Sequence, residues 1–184
     1  MAIEEPPYVV ERRVDQIEIR AYSPFLVAEV TVAGTREVAI NQGFRLLANY
    51  IFGANTTSAK IAMTAPVTQA ASGQKIAMTA PVTQTQSGNE WHIRFSMPSS
   101  FTMQTIPTPN DPRVRIIQEP AKKFAVVRFS GLTNEGDIQK RTEALNTFIT
   151  AEHLTTRGAP NLARYDPPWT LWFMRRNEVM IEVG

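Results

Sequence analysis

Few side chains in this 184-residue chain are of types that do chemistry, and their spacing sorts them. There are two histidines, His92 and His153, and no cysteine. Without a thiol there is no disulfide, no thiolate metal ligand, no thioether link to a prosthetic group and no cysteine nucleophile. The redox compartment stays open on this ground. His92 stands in Trp91-His92-Ile93-Arg94-Phe95, where alternation gives Trp91, Ile93, Phe95 and Met97 to the core. His92 then shares the other face with Glu90 and Arg94, and so reads as facing solvent. His153 falls at the end of a helical pattern, where an imidazolium is favourable against the helix dipole. Neither is a good metal ligand on this reading. Met63 and Met78 are available as weak soft donors, although a methionine in an apolar strand is more often packing. Glu4-Glu5 and Glu152 are dispersed carboxylates, and carboxylates that converge only on folding are invisible here. No phosphate-cradling glycine loop, nucleophile elbow or metal-spaced histidine cluster occurs. The expectation is a ligand-binding protein rather than an enzyme.

The chain has 43% hydrophobic residues, enough for one domain spanning 1–184 with a sizeable core. Nineteen basic against seventeen acidic residues leave a net charge of +2. Lys/Arg runs do not exceed the pairs Lys122-Lys123 and Arg175-Arg176, so the footprint of a nucleic-acid binder is missing. Met1 to Glu11 is acidic, contains Pro6-Pro7 and does not read as a signal peptide. Apolar runs are broken by charge well short of a membrane span. The chain as it stands reads as soluble and cytoplasmic, with the periplasm open if a leader has been removed.

The elements that must position these residues show a duplication. Gln16 to Tyr22 alternates as a strand, Ser23-Pro24 turns, and Phe25 to Ala33 alternates again. Gly34-Thr35 breaks and caps a helix over Arg36 to Phe52, with Ile40, Phe44, Leu47 and Ile51 as its core stripe and Gly53 closing it. Later, Val114 to Ile117 is a strand, Glu119-Pro120 a turn and Phe124 to Phe129 a strand. Gly131 then precedes a second helix, capped by Asn134 or Asp137 and running to about His153 on Ile138, Leu145, Phe148 and Ile149. Thr170 to Phe173 and Val179 to Val183 read as a closing hairpin or bent strand. The fold class expected is α+β, a pseudo-duplicated distorted antiparallel β-barrel or open sheet with two main helices.

Residues 60–69 and 75–84 are both Lys-Ile-Ala-Met-Thr-Ala-Pro-Val-Thr-Gln, a repeat with a period of 15. An odd shift along an extended chain swaps the faces of every side chain, so the copies cannot continue one strand with one face to the core. The expectation is one copy in the sheet and the other in an exposed excursion.

Three stretches together carry a family resemblance. Ile19-Arg20-Ala21-Tyr22 with Pro24 and Val27-Ala28 is similar to the opening of the SOUL heme-binding proteins. Gly43-Phe44, then Tyr50-Ile51-Phe52-Gly53-Ala54-Asn55 and the Lys-Ile-Ala-Met-Thr-Ala-Pro-Val segment, resembles that family's helix-loop-strand signature. Tyr165-Asp166-Pro167-Pro168 with Arg175-Arg176-Asn177-Glu178-Val179 resembles its C-terminal motif. The resemblance runs from about Glu5 to Val183. It implies a distorted antiparallel barrel with two helices, akin to bacterial effector-binding domains, and non-covalent binding of heme or a related porphyrin, for transport or buffering. Fold alone does not settle function, and capture of other amphipathic small molecules or weak heme-handling chemistry are the alternatives.

A heme requires an apolar slot, cations for two propionates and often an axial donor. Carried over from a mammalian member, the positions that contact the porphyrin fall on Asn41, Ala48 and Asn49 of the first helix and near Thr170 in the C-terminal loop. None of these is basic. Asn41, Arg45, Ala48 and Phe52 share one helical stripe, so Arg45 can supply the missing cation while Ala48 and Phe52 offer a flat apolar surface. The bland alternative makes Arg45 a solvated residue and packs Phe52 under a loop. Met63, Met78 and, of the C-terminal aromatics, Trp172 complete the candidate contacts, with no residue assigned to the iron.

Overall fold

The structure is a computed structural model and describes residues 3–57, 73–167 and 169–184. In chain order it runs β1 (Tyr8–Val14), β2 (Ile17–Tyr22), β3 (Phe25–Ala33), α1 (Arg36–Ile51), β4 (Asn55–Thr56), β5 (Val82–Ser87) and β6 (Glu90–Ser96). There follow β7 (Thr108–Pro109), β8 (Arg115–Glu119), β9 (Lys122–Ser130), α2 (Glu135–Ala151), β10 (Asn161–Arg164), a short 3-10 turn at Trp172–Met174 and β11 (Arg176–Val183). Nine strands form one curled sheet in the order β1-β2-β9-β11-β10-β5-β6-β3-β8, while β4 and β7 pair apart from it.

That order is symmetric about the seam between β5 and β10. On one side lies β8-β3-β6-β5, and on the other β2-β9-β11-β10. The duplication read from hydrophobic period is therefore present in the sheet. β3 and β9 each run nine residues and each ends at a glycine of positive φ, Gly34 and Gly131. The helix after each packs on the outer face, α1 over β3 and β6, α2 over β9 and β11. Alternation supplies the contact. Leu26, Ala28, Val30, Ile93 and Phe95 face α1, and Ala125, Val127, Phe129, Val179 and Ile181 face Leu145 and Ile149 of α2. Each such side chain removed from water contributes roughly 1.5–3 kcal/mol.

Three local readings need correction. The buried stripe of α1 is Ala39, Gly43, Leu47, Tyr50 and Ile51 rather than Ile40-Phe44-Leu47-Ile51. Small residues decide this: a Cβ at Gly43 would lie 2.6 Å from Ile93 Cγ1, so α1 settles onto β6 along its Ala39-Gly43 side. Phe44 is left 40% exposed and edge-on to Phe95 at 5.4 Å. Thr170 to Phe173 is not a strand, since the 3-10 turn occupies Trp172–Met174. β1, which the acidic Pro-containing N-terminus did not suggest, pairs with β2 at the sheet edge. Other boundaries hold: Asn134 Oδ1 caps α2 by accepting from the Asp137 N–H at 2.9 Å.

The second copy of the repeat enters the sheet. Its Ile76 and Ala80 are each 4% exposed, and its Val82 opens β5, which joins β6 to β10. The first copy falls within residues 58–72, outside the described residues. The return point of the chain is specific. The Asn55 side chain donates to the Gln74 carbonyl at 2.8 Å and accepts from its N–H at 2.9 Å. A Cβ on Gly73 would sit 1.6 Å from the Gly53 carbonyl oxygen, so only glycine fits there. Since the second copy by itself fills β5, removing residues 60–72, which keeps Gly73 and the Gln74 clamp, is expected to leave a domain that unfolds in one cooperative urea transition with an unchanged m-value. A broad or multiphasic transition would show that both copies are structural.

Candidate functional site

The outward flank of α1 collects five residues that the sequence placed together. Asn41, Arg45 and Asn49 are exposed, Ala48 is half-buried, and Phe52 is 60% exposed. Gly53, with φ +121°, ends the helix immediately beyond. Val38 and Phe44 are uncovered on the same outward surface. Val38, Phe44 and Phe52 are thus the large apolar side chains that this flank leaves in water. Met78 is 51% exposed and borders a shallow recess with Ile51, Val82 and Phe95, beside the Phe44 edge of the helix. On the opposite edge, Asn49 and Leu46 open into a cleft of about 500 Å³ walled by Tyr50, Ala54 and the segment Asn110 to Val114. Arg113 in that wall pairs with Asp111 at 2.7 Å. Hydrogen bonds from Arg113 hold the Asp111 carboxyl down at about 2. The flank is thus open, apolar at its ends and centred on one guanidinium, with a cleft alongside.

Of the eight predicted contacts, Trp172 stands apart from this group. Met63 lies outside the described residues. Trp172 is on the loop between β10 and β11, which packs against β9. It is 57% exposed and edge-on to Phe173 at 5.7 Å. Trp169, Leu171 and Met174 on that loop are likewise exposed. His92 departs from the solvent-facing place that alternation suggested. His92 faces inward on β6 beside Glu29, with Nδ1 3.6 Å from its carboxylate. His153 follows α2 in the left-handed region at φ +56°. Among the described residues, no three His, Asp or Glu side chains cluster as metal ligands.

The inner face of the sheet holds what the sequence did not disclose. Glu178 on β11 is fully buried. Its carboxylate accepts from Arg20 at 2.8 and 3.0 Å, from Tyr165 Oη at 2.7 Å and from Arg176 at 3.1 Å. Four donors occupy both oxygens, which makes Glu178 a structural anchor and leaves it no lone pair for base chemistry. Pairing of Arg176 with Glu178 was legible in Arg175-Arg176-Asn177-Glu178; pairing with Arg20, 158 residues away, was not. A second knot surrounds Glu29, which takes Arg94 at 2.6 Å and Arg115 at 2.5 Å. Burial pushes the Glu29 carboxyl up, but these cations outweigh it and hold it below the usual range. Between the knots runs a trough of about 190 Å³, with Phe25, Phe124 and Met180 as apolar walls and Lys122, Glu119 and Glu182 at its rim. Lys122 spans the two carboxylates at 3.0 and 3.2 Å.

Burial pushes the Tyr22 phenol up to about 12, against about 10 in an unfolded chain. The folded state holds this proton more tightly, so the contribution is complete below about pH 10 and is lost as pH rises towards about 12. The urea midpoint is expected to fall over that interval, and Tyr22→Phe to make the fall shallower. An identical pH profile in the variant would remove Tyr22 from the account. Glu178→Gln strands Arg20 and Arg176 and is expected to cost about 3–5 kcal/mol in urea unfolding at neutral pH. A loss below about 1 kcal/mol would show the carboxylate is not the anchor.

The comparisons with known proteins agree with this fold. A family model described as SOUL heme-binding protein matches residues 3–74 and 68–182. The two segments overlap across residues 68–74, and each contains one copy of the repeat. No curated protein matches the chain by sequence. Among solved structures, the C-terminal domain of EcmrR is similar, with 12% identity, a TM-score of 0.66, and 92% of this chain and 97% of that one covered. A hydrolase from Listeria innocua is similar at 11% identity and a TM-score of 0.59, covering 92% of each chain. At these identities the likeness is one of fold.

Proposed function

We propose, from the premise that this chain belongs to the SOUL heme-binding protein family, that it holds a heme or related tetrapyrrole non-covalently on the outward flank of α1. The observation carrying the reading is the flank itself: Phe44 and Phe52 uncovered about a small Ala48, with the Arg45 guanidinium among them. Ala48 lets a flat ring approach the helix backbone. Phe44 and Phe52 supply apolar contact on either side of it, and each aromatic buried by a ligand adds to affinity in proportion to area. Arg45 meets one propionate as a charge-assisted hydrogen-bond donor. Asn41 and Asn49 flank it at helical spacing as further donors, and the 500 Å³ cleft beside Asn49 receives the second propionate edge. Met78 packs at the ring margin. Met63 and Trp172 enter through the family resemblance. A bound heme would bring its own iron chemistry; the residues named here bind and orient, and none is assigned to the metal. The role that follows is carriage or buffering of the tetrapyrrole.

A second reading has one observation in its favour. The fold likeness to the EcmrR C-terminal domain accompanies an inner trough with Phe25 and Phe124 walls and a rim where Lys122 balances Glu119 and Glu182, a surface suited to amphipathic small molecules. One experiment separates the readings. Hemin added to the purified protein is expected to give a Soret change saturating near one equivalent, about tenfold weaker in Arg45→Glu and in Ala48→Trp. A shapeless rise without saturation, or equal affinity in both variants, would overturn the flank assignment. Displacement of hemin by a hydrophobic quaternary cation, at a site blind to both substitutions, would transfer the function to the trough.

A further inference from the structure

A third concavity lies on the outer face where α1 and α2 part above the β5–β10 seam. Its volume is about 480 Å³. Thr35 and Arg36 of α1 and Ile138 of α2 form its walls, and Trp91 of β6 with Leu162 of β10 forms an apolar floor beside Gln84. Two of these side chains carry hydrogen-bonding capacity that the protein does not use. Gln84 is only 3% exposed, held between Ile93 and Leu162 of the neighbouring strands, and its amide oxygen has no partner. Arg36 spends Nη1 on the Thr133 carbonyl at 3.1 Å, and its buried Nη2 has no acceptor. Arg164 donates to the Thr133 hydroxyl, and its Nε is also buried and unpartnered. Burial pushes both guanidiniums below their ordinary value, and for Arg164 the charges of Arg36 and Arg175 push further. Glu135 reaches Arg36 through charge without a hydrogen bond. Buried donors, a buried acceptor and gathered positive charge are all costly to leave unanswered. A ligand that brings a carboxylate and an N–H together answers them.

We propose that this interhelical groove binds a small amphipathic carboxylate bearing an adjacent hydrogen-bond donor, of the N-acyl amino acid type. The carboxylate meets Arg36, the donor meets the Gln84 amide oxygen, and the apolar body lies along Trp91, Leu162 and Ile138. The groove is separate from the α1 flank of the tetrapyrrole reading.

The test is an amide and side-chain NMR titration of the full chain with N-acetylleucine, its methyl ester, N-methyl-N-acetylleucine and inorganic phosphate. N-acetylleucine is expected to shift the Trp91 indole, the Gln84 amide and Arg36 Nε saturably. The ester and the N-methylated probe should bind about tenfold more weakly or worse, and phosphate should leave Trp91 unmoved. Gln84→Leu removes a buried unpartnered oxygen, so it is expected to raise the urea midpoint and erase the preference for the N–H probe. Arg36→Gln should weaken N-acetylleucine about tenfold while leaving the hemin titration unchanged. No saturable shift at millimolar probe, equal binding of the ester, or phosphate binding as tightly as N-acetylleucine would each overturn the proposal. Loss of hemin binding in Arg36→Gln would also overturn it, by making Arg36 an anchor of the tetrapyrrole instead of a second site.

Discussion

Four residue pairs join the halves of this molecule: Val82 to Thr85 of β5 against Arg164 to Asn161 of β10. Remove that ladder and the halves are a four-stranded sheet and, with β1, a five-stranded one, each with one helix and two open edges, a state in which unpaired backbone groups invite association. With it, nine strands share one curvature, and both helices are placed on one side and the trough on the other. The strand at this joint comes from a segment that the chain carries twice. A second copy of β5 inside the ladder would move every side chain to the wrong face. Ahead of β5 the chain is fixed at one tightly specified place, where Asn55 clamps Gln74 and Gly73 lies against Gly53.

Much of this was legible in the residues. Period-2 alternation located β2, β3, β8 and β9 within two residues or so, and the glycines after β3 and β9 predicted the two helices. Those signals are local and come from burial on one face. What failed was local in the wrong way. The stripe on α1 was read from the largest apolar side chains, whereas close packing onto Ile93 selected the smallest, Ala39 and Gly43. The tail from Thr170 to Phe173 looked like strand because it is apolar, yet Trp172 and Phe173 face solvent on a turn. The inner-face charge network was beyond reach because its members are far apart in the chain: Arg20 and Glu178, or Glu29 and Arg115, share no sequence window.

The misread stripe of α1 has a physical cause that bears on function. A helix has a limited perimeter, and the side that sinks deepest is the side that can lose its side chains. Because Gly43 and Ala39 let α1 approach the sheet, Phe44 is rotated to the margin and Phe52 is left beyond the contact altogether. The same small residues that tighten the core are therefore what expose the aromatic flank. In a helix whose buried stripe was made of Ile40, Phe44, Leu47 and Ile51, as size alone suggests, the helix would stand farther from β6 and Phe44 would be covered, leaving Phe52 as the one aromatic beside Asn41, Arg45 and Ala48.

The polar inner face and the apolar outer flank are coupled by the same alternation. Every inward position spent on Arg, Glu or Tyr is a position that cannot contribute to the helix-facing core, so the inner face gains its stability from saturated charge pairs. Glu178 and Glu29 illustrate the cost of this arrangement: a buried carboxylate is tolerable only with its donors in place, and replacing such a pair by apolar residues is often neutral or stabilising. Keeping it makes sense if the inner face must remain polar enough to stay open between strands rather than collapse. The contrast with Gln84 and Arg36 is instructive on this point. The carboxylates inside are answered to the last oxygen, whereas on the outer face, beneath the parting helices, an amide oxygen and a guanidinium nitrogen are left unpaired. A sheet that satisfies its charged groups so completely on one side, yet leaves neutral and cationic groups unspent on the other, directs its remaining hydrogen-bonding capacity to the side where the helices leave room.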